Sequence, residues 1–347
     1  MTTSMHRSAV APHTASTFVA TLSEGSEIAL VDLAGRATDS GVRRTVDVGP
    51  APWGVAVSPT DGTVAVATAR GVALVDRQVT KLTGLIPYRD APDTIAYGEY
   101  RPGGTGIVAA PDGRTFFVGV HREGRMSSVE VVDTAVGAVV DSVEIGERPF
   151  DLVRSADGRS VHSIDHDSFT LHTIDIASHA VKVQEIAPFG TAGGHMSHMK
   201  PHYAAVAEDE TIYLPYQGRG LLVIDGATGA HRTEPMTGDT HQHGVALSDD
   251  GRLLVVGVGQ VGGAKLGPSL TVRDLATGAE RLVELDRGHE NVIFWRDPAD
   301  TRAYAVLTGG STSRGPWDGL TLVALDDDSV TRVTVPGKPQ VLAAVVV

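Results

Sequence analysis

Three segments of the chain place metal-type ligands at one corresponding position: His202 in KPHYAAV, His243 in HQHGVALSDDG, and either His289 or Glu290 in GHENVIF. A divalent cation needs three or four nitrogen or oxygen atoms at about 2.0–2.2 Å, held by rigid elements. Two imidazoles with a carboxylate or a third imidazole suit zinc foremost, or iron or copper, and leave at least one coordination position open. Such a position permits metal transfer or catalysis. His195 and His198 in GGHMSHMKPHY and His241 in THQHG are secondary candidates, each also readable as a solvated loop residue. The plain alternative is that these histidines only hydrogen-bond water or backbone. With no cysteine among 347 residues, thiolate zinc sites, disulfides and thiol nucleophiles are excluded. No GxSxG elbow, P-loop or HExxH motif occurs either.

Residues so far apart in sequence converge only if a repeat brings them together. One landmark is an apolar strand, a turn such as SPTDG and a second β-rich strand; its turn aspartates are Asp61, Asp112, Asp157, Asp209, Asp250 and Asp300. The spacing averages about 48 residues, within the range of propeller repeats, and predicts about seven units. A second landmark, an apolar strand ending in aspartate before a turn, recurs at Asp32, Asp76, Asp133, Asp175, Asp225, Asp274 and Asp326. In VDTAVG, IDGATG and RDLATG the aspartate caps its own turn and glycine takes the left-handed conformation. Helical periodicity is absent, and β-branched runs of four to eight residues lie between Gly, Pro and Asp.

The fold class expected is all-β: a seven-bladed β-propeller of four-stranded antiparallel blades. The seventh copy of the first landmark is supplied by the C-terminal segment Lys338–Val347, which should join strands from about Thr17 to Val48 and close the ring. Residues 1–16 are expected to form a flexible tail, His6 and His13 included, and residues 17–347 one propeller domain. The position just before the apolar run of each first strand should form a ring at one channel mouth: Trp53, Thr105, Phe150, His202, His243, Glu290 and Gln340. A one-residue slip in the last repeat would exchange His289 for Glu290. Glu290, where it is not a ligand, is a candidate general base, and Trp53 and Phe150 are candidate walls of an organic-ligand pocket or plugs of the channel. His162, His166 and His172 in RSVHSIDHDSFTLHTID are expected to decorate the surface, and Gly257, Gly259 and Gly262 to belong to a connection between strands.

PWGVAVSPTDGTVAVAT and VEVVDTAVGAVVDSVEIGERP resemble the bacterial propeller repeat labelled YVTN, over nearly the whole chain. That resemblance implies the fold and is almost silent on function. The segments KPHYAAV, HQHGVALSDDG and GHENVIF resemble those of propeller zinc metallochaperones that supply ABC-type zinc importers. This resemblance implies His202, His243 and His289 as ligands.

A formal charge of -13 argues against nucleic acid as partner. No apolar run approaches the roughly 20 residues of a membrane helix. The first residues lack a secretory pattern, so the chain as written is expected in the cytoplasm, and outside it only if trimmed. Three functions stay open: a metal carrier; a metal-dependent lyase, hydrolase or oxygenase acting on a small organic substrate; and a metal-free interaction scaffold.

Overall fold

The protein is described from a computed structural model covering residues 15–34, 41–186, 200–216, 220–238, 242–260, 264–310 and 317–346. Among these residues 28 strands form seven four-stranded antiparallel sheets, with no helix, and hence no helix long and apolar enough to cross a membrane. The arrangement is a seven-bladed β-propeller.

The first strands of successive blades touch around the axis. They are β4 (Val55–Val57), β8 (Gly103–Ala109), β12 (Pro149–Arg154), β16 (Ala205–Val206), β20 (Gln242–Leu247) and β24 (Val292–Arg296), opening blades 2 to 7. Blade 1 takes its first strand from the other end of the chain. There β28 (Pro339–Ala344) pairs antiparallel with β1 (Thr17–Leu22), matching Phe18 with Ala344, Val19 with Ala343 and Ala20 with Leu342. The ring is thus closed by hydrogen bonds between distant parts of the sequence.

Each blade packs its faces on its neighbours, so the second strands are buried on both sides. That is why β5 (Val64–Ala67) and β21 (Arg252–Gly257) read as continuous apolar runs and not as alternating ones. Phe18, Val31 and Leu33 of blade 1 pack with Trp295, Tyr304 and Leu322 of blade 7, and on the other side Val19, Ile28 and Val48 meet Val55, Val66 and Val75 of blade 2. Each such side chain contributes about 1.5–3 kcal/mol on burial. Outer strands are exposed, as in β15 (Val181–Glu185).

The turn aspartates do what their spacing implies. Asp61, Asp112, Asp157, Asp209 and Asp300 each accept from the backbone N–H two residues on. Asp133, Asp225 and Asp274 cap the turns that Gly137, Gly229 and Gly278 complete at φ of 71°, 77° and 72°. The Gly257 to Pro268 connection leads into strand β22 (Ser269–Asp274), as expected, although Gly262 lies outside the described residues.

A candidate metal centre at the channel mouth

The backbone ahead of the first strands makes a sharp turn that delivers one side chain per blade to the channel mouth. Ala51, Arg148 and Lys338 have positive φ of 52°, 52° and 59°, each two residues before Trp53, Phe150 and Gln340, and Gly103 does the same for Thr105 at 101°. Immediately after the mouth residue the blades come close. A Cβ on Gly54, Gly106 or Gly244 would lie 2.4, 2.4 or 2.5 Å from backbone of the next blade. Glycine at these places lets adjacent sheets approach and presses the mouth residues together.

Trp53, Thr105, Phe150, His202, His243, Glu290 and Gln340 are all buried. Trp53 meets the Phe150 ring edge-on at 6.2 Å, Phe150 meets His202 at 4.7 Å, and His202 stacks on His243 at 3.9 Å between centroids. Trp53 and Phe150 therefore pack on each other and on an imidazole. His243 Nδ1 lies 3.4 Å from Glu290 Oε2, while Glu290 Oε1 accepts from the Tyr203 hydroxyl at 3.1 Å. Gln340 Nε2 donates to that same hydroxyl at 3.2 Å, continuing the chain of contacts into blade 1.

Of the two residues open to a register slip, Glu290 is the one beside His243. His289 faces into its own blade: its Nε2 lies 2.8 Å from Thr321 Oγ1 and its ring meets Trp317 at 5.4 Å. Burial there holds it down to about 3, as a neutral ring. His289 is thus engaged within its own blade, and Glu290 is the residue that reaches the mouth. His195, His198 and His241 lie outside the described residues.

The carboxylate that joins His202 and His243 comes from elsewhere. Glu99 lies in the segment 88–102, which links β7 (Leu82–Pro87) to β8 and crosses the mouth. Glu99, His202 and His243 each offer a ligand atom, all within 4.8 Å of one another. His202 Nε2 and Glu99 Oε1 are 3.5 Å apart, near the roughly 3.4 Å edge of a tetrahedron with bonds of about 2.0–2.2 Å. The segment is anchored by Arg101, which donates to the carbonyls of Pro102 and Gly104 and lies 5.5 Å from the Trp53 ring. Tyr100 is covered by the Arg148 guanidinium at 4.3 Å.

The electrostatics suit a cation. Burial pushes the Glu99 carboxyl up to about 7, with His243 opposing the shift and Glu290 reinforcing it. Burial acts against the protonated form of His243, but Glu290 and then Glu99 outweigh it, so its pKa is raised. Two carboxylates in a space with little water repel each other, and a positive charge between them removes the penalty. Protons can supply that charge, and so can a metal ion. Glu290, facing Nδ1 of His243, stands where a carboxylate orients a ligating imidazole.

The sequence reading missed Glu99, since no strand pattern marks the segment that carries it. It also misplaced the blade 4 histidines: His162, His166 and His172 are 2%, 1% and 9% exposed, buried and not on the surface.

The fold and the side chains at its mouth define a seven-bladed β-propeller with a buried His/Glu group able to hold a metal ion. A solved structure of Kuenenia stuttgartiensis Hydrazine Synthase is similar over 97% of this chain and 100% of that chain, with a TM-score of 0.63 and 17% identity, a likeness of fold. No family model and no curated protein matches the sequence.

Proposed function

We propose that the protein binds one divalent transition-metal ion, zinc foremost, at the channel mouth through His202, His243 and Glu99, and that it acts as a carrier of that ion. One observation carries the reading: ligand atoms from three separate blade-opening and connecting segments lie within 4.8 Å of one another in a buried group. The donor set of two nitrogens and a carboxylate oxygen is one that zinc accepts. Ferrous iron and copper are accommodated by the same donors.

Carriage is favoured over catalysis by what surrounds the group. Trp53 and Phe150 pack tightly on each other and on His202, where a substrate would need space. Glu290 is engaged by Tyr203 and His243, which suits orientation of a ligand better than proton abstraction. A metal-dependent lyase, hydrolase or oxygenase would need both an open coordination position and a free base.

The test is elemental analysis of protein purified without added metal, beside the His202→Ala, His243→Ala double variant, with calorimetric zinc titration of both. Stoichiometric uptake by the wild type that the variant loses is expected. Wild-type protein that takes up no zinc, iron or copper would end the metal reading and leave the interaction scaffold.

A further inference from the structure

A second imidazole system adjoins the group and has no part in it so far. His166 follows β13 (Ser160–Asp165) in blade 4, and its ring lies 4.6 Å from that of His202, inclined by 63°. Phe150 stacks on its other side at 5.4 Å, and Tyr100, the neighbour of Glu99, meets it at 6.4 Å. His166, His202 and His243 thus form a continuous row of imidazoles, with the segment bearing Glu99 alongside.

The two nitrogens of His166 are in unlike surroundings. Nδ1 lies 2.8 Å from Asp167 Oδ1. An ionised carboxylate only accepts, so Nδ1 carries the hydrogen and a neutral ring presents its lone pair at Nε2. Nε2 is fully buried and has no hydrogen-bond partner among the described residues. Asp167 is itself fixed, by Lys200 Nζ at 2.6 Å and Arg148 Nη2 at 3.0 Å. A rigid carboxylate on one nitrogen and a buried, unpartnered lone pair on the other is the arrangement that ligating histidines show.

Resting on the metal-binding reading, we propose that His166 Nε2 is a further ligand of the ion held by Glu99, His202 and His243, with Asp167 as its orienting carboxylate. The set becomes three imidazoles and one carboxylate, which fills a tetrahedral shell. An ion so enclosed has no position for substrate, and the site holds and releases metal instead of activating water. Loading draws His166 inward, because its nitrogen stands outside the group that already lies within 4.8 Å.

The experiment uses the full chain loaded with zinc or with cobalt(II) as a spectroscopic substitute. X-ray absorption of the wild type counts imidazoles and needs no variant: three are expected, and two would overturn the proposal. His166→Ala should weaken zinc binding roughly 10- to 100-fold and shift the cobalt(II) spectrum away from tetrahedral intensity, and Asp167→Asn should weaken it less. His162→Ala, which removes another buried histidine with an unpartnered Nε2 in the same blade, should bind zinc as the wild type does. Wild-type affinity and an unchanged cobalt spectrum in His166→Ala would overturn the proposal while the three-residue site stands. A wild type that binds no metal would instead remove the reading on which it rests.

Discussion

Glu290 of blade 7 and His243 of blade 6 face each other across a blade boundary, Oε2 to Nδ1 at 3.4 Å, with both side chains fully enclosed. Glu290 stands on the Nδ1 side of His243, so on the metal-binding reading Nε2 is the ligating nitrogen. Glu290→Gln keeps the shape and removes the charge. Zinc affinity should fall roughly 10- to 100-fold with little change in folding, as measured by competition with a chelating dye. Unaltered affinity would show that the carboxylate does not orient the ring.

The same charges set the pH dependence. Glu99 is raised to about 7 and His243 is held above its usual range by Glu290 and Glu99, so an incoming cation must displace protons, and Glu99 gains more of its own as pH falls from 8 to 6. Zinc affinity should decline over this interval by up to about tenfold per pH unit for each proton displaced. Titrations at pH 6, 7 and 8 read the slope. A flat profile would count against Glu99 and His243 as ligands.

Gly310 supports the site from behind, at φ 51°, with its N–H donating to Pro339. A Cβ there would stand 2.3 Å from Glu290 Cβ and 3.0 Å from Gln340 Oε1. Gly310→Ala should therefore cost about 1–3 kcal/mol and loosen metal binding, visible together in thermal unfolding with and without zinc. Full stability with wild-type affinity would contradict the crowding.

Asp151, one residue inward of Phe150, accepts from the Ala204 N–H at 3.1 Å, yet burial raises its pKa to about 7. Unfolded, it ionises near its ordinary value of 3.8. Between these limits the folded form keeps a proton that the unfolded form has lost, so this residue's contribution declines as pH rises towards 7. Asp151→Asn abolishes the dependence while keeping an acceptor for Ala204. Its stability relative to wild type should increase from pH 5 to pH 8 by about 1–3 kcal/mol in urea unfolding. A gap that shrinks with pH would reverse the sign and refute the argument.

The blades could be read from the chain because each repeats a turn aspartate and a β-run at a regular interval. His202 and His243 could be assigned to the mouth because they sit directly before such runs. Glu99 could not, because residues 88–102 have neither repeat nor strand alternation and their path depends on Arg101 reaching the carbonyls beyond it. A period-two argument presumes one wet face, and so puts His162 and His166 at the surface. The whole of β13 beyond its first residue is buried, since neighbouring blades cover both faces, and period two then separates nothing.

The pairing of β1 with β28 carries a consequence for how the chain is made. Thr17 and Val345, hydrogen-bonded in the folded protein, are 328 positions apart. At roughly 5–20 residues per second the ribosome takes about 15–60 s between them. Through that interval β1 waits for its partner, and the torus can lock only once β28 has left the ribosome.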